Sequence, residues 1–118
     1  MKRRFRLTRS TDFQRVRRIG KSYAHPLIVF IIAPNTLEQV RVGVVAGRSL
    51  GTAVQRNRAK RRLRACLEPL ITCLSGGWDF IFLARKPMDQ AEFTEICSAV
   101  QLLLKRAGLL NDRTQPSG

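Results

Sequence analysis

Apolar residues recur every three or four positions in three stretches of the chain and crowd together without a helical gap in two others. That pattern predicts helices separated by short strands. Phe93, Ile96, Cys97, Val100, Leu103, Leu104 and Ala107 keep helical spacing. Asp89 with Glu92 is the expected cap of this helix, Lys105-Arg106 suit its negative end, and Gly108 stops it. Near the start, Phe13 and Val16 stand at i and i+3. Thr11 with Gln14 offers a capping box there, and Gly20 a left-handed stop. In the middle, Thr52 and Gln55 form a further capping box ahead of an apolar face of Ala59, Leu63, Cys66, Leu70 and Leu74. Gly76-Gly77 closes that region.

The strands are read from β-branched and aromatic crowding. Leu27 to Ile32 is such a run, ended by Pro34-Asn35, and Gln39 to Ala46 alternates well enough to pair with it as a hairpin. Tyr23 to His25 adds a short strand ahead of them. Trp78 to Ala84 carries apolar residues at both parities, as a strand covered on both faces does. The order α-β-β-β-α-β-α predicts an α+β fold, an α/β sandwich on a small sheet. At 118 residues it is one domain, 1–118. Residues 1–9 are expected to be a loosely ordered basic arm, and 109–118 a frayed tail.

Charge changes the picture. The net charge is +14, and 17 of the 22 Lys and Arg fall within residues 1–64, where Asp12 and Glu38 are the acids. Six of those cations lie in Arg56-Asn57-Arg58-Ala59-Lys60-Arg61-Arg62-Leu63-Arg64, directly after the Thr52 cap. At about 100° per residue, Arg56, Asn57, Lys60, Arg61 and Arg64 share roughly 140° of one helix face. A merely solvated helix would relieve its like charges with carboxylates at i and i+4. None occurs between Glu38 and Glu68. The run is therefore an anion-binding ridge with RNA as its expected anion, held through salt-sensitive counterion release. Arg48, between Gly47 and Gly51, adds a cation in a turn whose backbone can approach a phosphate.

Other chemistries find little support. An anionic membrane is the competing polyanion, but no helix pairs a Trp- or Phe-rich face with a basic one. The longest apolar run, Leu27 to Ala33, is far short of the roughly 20 residues that span a bilayer. Leu7 to Arg18 is too polar for a signal-peptide core, so a cytoplasmic location is expected. Cys66, Cys73 and Cys97 are read as small buried residues in a reducing compartment, without a disulfide or metal site. His25, beside Pro26, has no Ser, Cys or Asp partner for catalysis. The eight acids are scattered, which leaves a protein-based nuclease site without ligands.

These residues also resemble a known family. Arg41-Val42-Gly43, the turn into Gly51, and the R-N-x-x-K-R-x-x-R run of Arg56 to Arg64 resemble the protein component of bacterial ribonuclease P. Asp12-Phe13 with Val16 and Gly20 is similar to that family's first helix, and Asp79 to Pro87 to its later strand; the likeness spans about residues 4–107. The resemblance implies a four-stranded sheet with three helices and a left-handed βαβ crossover, a rare hand. It further implies that ribonuclease P RNA with bound Mg²⁺ does the chemistry, removing the 5′ leader of precursor tRNA. The protein is then a non-catalytic subunit that raises substrate affinity and helps assemble the metal-bound site; none of its own residues is picked out as a metal ligand.

Carried over by position, Arg48, Arg56, Asn57, Lys60, Arg61 and Arg64, with Arg58 in the same run, are the expected contacts to the catalytic RNA. Phe13, Arg17 and Ile31 are the expected leader contacts. Three positions depart from the family pattern: Arg17 and Ile31 stand where aromatics are common, and Ser49 replaces a second cation of the turn. Leader contacts are then more electrostatic and less stacked. The alternative reading is a ribosomal or general RNA-binding protein with no associated reaction.

Overall fold

The computed structural model describes residues 2–110. Within them the chain runs α1 (Ser10–Ile19), β1 (Lys21–Ala24), β2 (Ile28–Pro34), β3 (Arg41–Ala46), α2 (Ala53–Leu67), β4 (Trp78–Ala84) and α3 (Phe93–Arg106), with short 3₁₀ turns between. The four strands form one mixed sheet in the order β1-β2-β4-β3. β4 lies antiparallel to β2 and parallel to β3, so α2 is carried on the crossover between two parallel neighbours.

Strand parity sorts the core into two layers. Ile28, Phe30 and Ile32 of β2, Val42 of β3, and Phe80 and Phe82 of β4 face α2 and α3, where Leu63, Leu67, Ile96, Val100, Leu103 and Leu104 meet them. Phe30 is the hub, stacked on Phe82 at 4.6 Å between centroids and edge-on to Phe80 at 5.4 Å. The alternate residues Ile31, Ala33 and Ile81 face the other way and are covered by Val16 of α1 and by Leu7. Both faces of β4 are thus covered, as its dual-parity pattern predicted.

The expected hairpin of β2 with β3 does not form. β2 pairs with β1, Tyr23 opposite Phe30, and β4 inserts between β2 and β3. Alternation marks a strand but does not choose its partner. The 35–39 connection instead closes on the β4 entry, where Asn35 N–H donates to Gly77 O (2.8 Å) and Gly77 N–H to Gln39 O (3.2 Å).

Helix ends confirm one capping box and move the others. Thr52 Oγ1 accepts from Gln55 N–H (3.3 Å) while Gln55 Oε1 accepts from Thr52 N–H (2.8 Å), as predicted. α1 starts earlier than expected, on Arg9, without a side-chain cap, so the Thr11–Gln14 box is not used. Gly20 is extended, not left-handed; a Cβ there would lie 2.3 Å from Val16 O, so glycine serves close approach. α3 is capped reciprocally by Glu92 and Glu95, and Asp89 lies in the preceding turn. Phe93, the first residue of α3, is left 42% exposed and is not part of the core stripe. Gly108 does end this helix, at φ +77°. α2 stops at Leu67 because Pro69 has no N–H to continue it, and a 3₁₀ turn carries Leu70 and Ile71 into the core.

Two further expectations are corrected. Within the expected loose arm, residues 2–9 are docked: Arg6 bridges Val42 in parallel register, Leu7 N–H donates to Val42 O (2.9 Å), and Leu7 is buried. The apolar Phe5 and Leu7 within the basic arm supply the surface that docks it. Cys66 and Cys97, read as separate thiols, are joined in a disulfide between α2 and α3 with Cα atoms 5.1 Å apart, and Cys73 is exposed. The 31-residue separation hides that pairing from local spacing. Of the expected tail, Leu110 is buried, and 111–118 lies outside the described residues. Among the described residues no helix is long and apolar enough to cross a membrane.

Candidate nucleic-acid interface

The cationic helix α2 presents its charge as the spacing predicted. Ala59, Leu63, Cys66 and Leu67 are buried against the sheet and α3, which turns Asn57, Arg58 and Arg61 to solvent. Arg56, Lys60 and Arg64, one turn apart, are half-buried along the ridge. Arg56 Nε is buried without a hydrogen-bond partner. Arg48 is exposed in the 3₁₀ turn that leads from β3 into α2. Among the described residues the ion pairs given for arginine are those of Arg15 and Arg41 with Asp12 and Asp79, away from Arg48, Arg56, Lys60, Arg61 and Arg64.

Arg62 is the exception within the run. It reaches the backbone carbonyls of Met88 (3.4 Å) and Ala91, tying α2 to the turn before α3. Burial first and the nearby Arg58 second lower its pKa from the ordinary value. It is a structural cation.

On the other face of the sheet, Thr8, Ser10, Phe13, Gln14, Arg17 and Val45 line an open groove of about 400 Å³. Phe13 and Arg17, one helical turn apart on α1, thus line the same groove. Ile31 does not line it: at 8% exposure it packs beneath α1 with Val16 and Ile81 and supports the helix from below. Sequence reasoning missed Val45 and Thr8. Val45 could have been found from β3 alternation, since it points opposite to Val42 and Val44. β3 therefore separates the two surfaces, with the groove on one side and the ridge on the other.

A buried charge holds α1 over the sheet. Asp79 is fully buried at the start of β4 and accepts from Arg41 Nε (2.9 Å) and Nη2 (2.8 Å), from Asn35 Nδ2 (2.8 Å) and from Arg15 of α1. Burial pushes its pKa up, but the hydrogen bonds from Arg41 and Asn35 and the charges of Arg41 and Arg15 outweigh it. The carboxyl ends below its ordinary value. Arg41 is raised in turn, chiefly by its hydrogen bond to Asp79. A lone Asp opening a strand covered on both faces was the available signal for this network.

Other candidates lie apart. His25 Nδ1 accepts from Leu27 N–H (3.0 Å), a local turn bond, and burial and then Arg106 lower its pKa. Among the described residues no group of three or more His, Cys, Asp or Glu could hold a metal ion.

A carboxylate-free cationic ridge and an aromatic-bearing groove, set on either side of one strand of an α+β sandwich, define a nucleic-acid-binding protein. A family model described as Ribonuclease P matches residues 1–108. The chain belongs to the family of ribonuclease P protein components. It is 44% identical over 117 residues to the ribonuclease P protein component of Herpetosiphon aurantiacus, covering 99% of this chain and 95% of that one. It is 39% identical to that of Chloroflexus aurantiacus, over 93% of this chain and 82% of the relative. The Staphylococcus aureus RNase P protein superposes with a TM-score of 0.83 at 29% identity, over 91% of this chain and 98% of that one. The Thermotoga maritima RNase P protein does so with 0.77 at 28%, over 86% and 96%.

Proposed function

We propose that this chain is the protein subunit of a ribonucleoprotein endonuclease that removes the 5′ leader of precursor tRNA, with ribonuclease P RNA performing the cleavage. Family membership carries the association with that RNA. The observation that supports the division of labour is the placement of two unlike surfaces on opposite sides of β3. Arg48, Arg56, Asn57, Arg58, Lys60, Arg61 and Arg64 form a surface suited to the closely spaced phosphates of a folded RNA. The groove between α1 and β3 suits a single strand: Phe13 offers a stacking face and Arg17 a phosphate partner.

The residues of both surfaces fit phosphate and not a divalent cation. Asp79 is taken up by two guanidiniums and an amide, and the other acids are dispersed. On this reading Mg²⁺ is bound mainly by the RNA, and the protein's part is to bind, orient and neutralise. Such a role belongs in the cytoplasm, where tRNA precursors are made.

Reconstitution tests this reading. With a bacterial ribonuclease P RNA at low Mg²⁺, the protein should support leader removal that neither component achieves alone. Tight RNA binding without any stimulation of cleavage would instead favour a general RNA-binding protein.

A further inference from the structure

The arm ahead of α1 is fixed to the sheet at a place that extends the ridge. Arg6 sits in parallel register with Val42 of β3. Parallel partners point to the same side of a sheet and neighbours to opposite sides. Val42 faces α2, while Leu7 faces α1 beside Gly43. Arg6 therefore projects on the α2 side, towards the row Arg56–Lys60–Arg64. The short turn before it is seated by Gln39 Nε2 donating to Arg4 O (3.0 Å) and by the Arg4 guanidinium 4.9 Å from the Phe5 ring centroid.

We propose that Arg6 and Arg64 together grip one backbone phosphate of the RNA bound by the ridge, so that the arm is part of the binding surface. The inference rests on the ridge being the RNA surface and adds a residue and a strand edge to it. Neither guanidinium has a carboxylate partner among the described residues. Backbone pairing of the arm with β3 keeps Arg6 from drifting away. Burial first, and the charge of Arg6 second, lower the pKa of Arg64, which places the two like charges within each other's field. A shared phosphodiester relieves that repulsion and accepts hydrogen bonds from both planar groups. Two residues on, Thr8 lines the groove, so the same short segment joins both surfaces.

The test is binding of in vitro transcribed bacterial ribonuclease P RNA, without precursor tRNA, over a salt series. The proteins are wild type, Arg6→Ala, Arg64→Ala, the double variant, and Arg61→Ala. Each of the first two single changes should weaken binding roughly three- to tenfold, and the slope of log affinity against log salt should become shallower by no more than about one in either single variant or in the double. The double variant should lose no more than about twofold beyond the weaker single, because one phosphate is shared. Wild-type affinity and slope for Arg6→Ala, with Arg64→Ala impaired, would overturn the grip. So would a double loss equal to the product of the two single losses, which means separate phosphates. If Arg61→Ala is also silent, the ridge reading itself fails. Should Arg6→Ala lower the thermal midpoint, Arg6→Gln keeps the side-chain stem over β3 and answers the same question.

Discussion

Phe13 lies directly on Gly43: a Cβ added to Gly43 would stand 2.5 Å from both Cε1 and Cζ of the Phe13 ring. Gly43→Ala should therefore push the ring outward, with no backbone strain. Precursor tRNA affinity should fall severalfold while affinity for the catalytic RNA is unchanged. Equal losses for both RNAs would show that the substitution disturbs the whole sheet.

Phe13→Ala removes the stacking face. Base stacking on an aromatic is worth about 1 to 3 kcal/mol. Precursor tRNA should bind the holoenzyme correspondingly more weakly, and mature tRNA should be nearly unaffected. A matching loss for mature tRNA would assign Phe13 to packing alone.

Arg61 is exposed on the ridge and pairs with no carboxylate among the described residues. Arg61→Ala should weaken binding to the catalytic RNA and reduce the magnitude of the salt slope by a little under one phosphate contact. Arg62→Ala should act differently. It frees the Met88 and Ala91 carbonyls and should lower the thermal midpoint more than it changes the slope.

Asp79→Asn leaves Arg15 and Arg41 facing a neutral amide. Removing one partner of a buried pair costs about 3 to 5 kcal/mol, and the partial exposure of both arginines brings the expected loss towards about 2. Because the folded-state pKa of Asp79 is depressed, its contribution is present above the ordinary carboxylate range. It is lost as pH falls through the folded value. Urea unfolding at falling pH should show wild type losing stability in acid faster than Asp79→Asn. Parallel curves would mean the carboxylate is not the titrating group.

The Cys66–Cys97 bond predicts thiol accessibility. Protein prepared without reductant and unfolded in denaturant should take up one alkylating group, on Cys73, and three after reduction. Closing a loop of this length is worth about 3 to 4 kcal/mol in the chain-entropy view, so reduction should lower the thermal midpoint by roughly 10 to 20 °C. Uptake of three groups without reduction would show the thiols to be free.

Local pattern determined the elements, the ridge and its cap. Thr52 and Gln55 are three residues apart, and the apolar stripe from Ala59 to Cys66 orients Arg61 and Asn57 outward by helical geometry alone. Such features need no knowledge of distant chain. Tertiary structure decided what long-range pairing controls: that β4 separates β2 from β3, that Phe5 and Leu7 dock the arm, that Cys66 meets Cys97. It also decided that Asp79 gathers Arg15, Arg41 and Asn35 and that Ile31 lies under α1 while Val45 lines the groove. Periodicity shows which side of an element is apolar, but which partner covers that side depends on contacts between residues far apart in the chain.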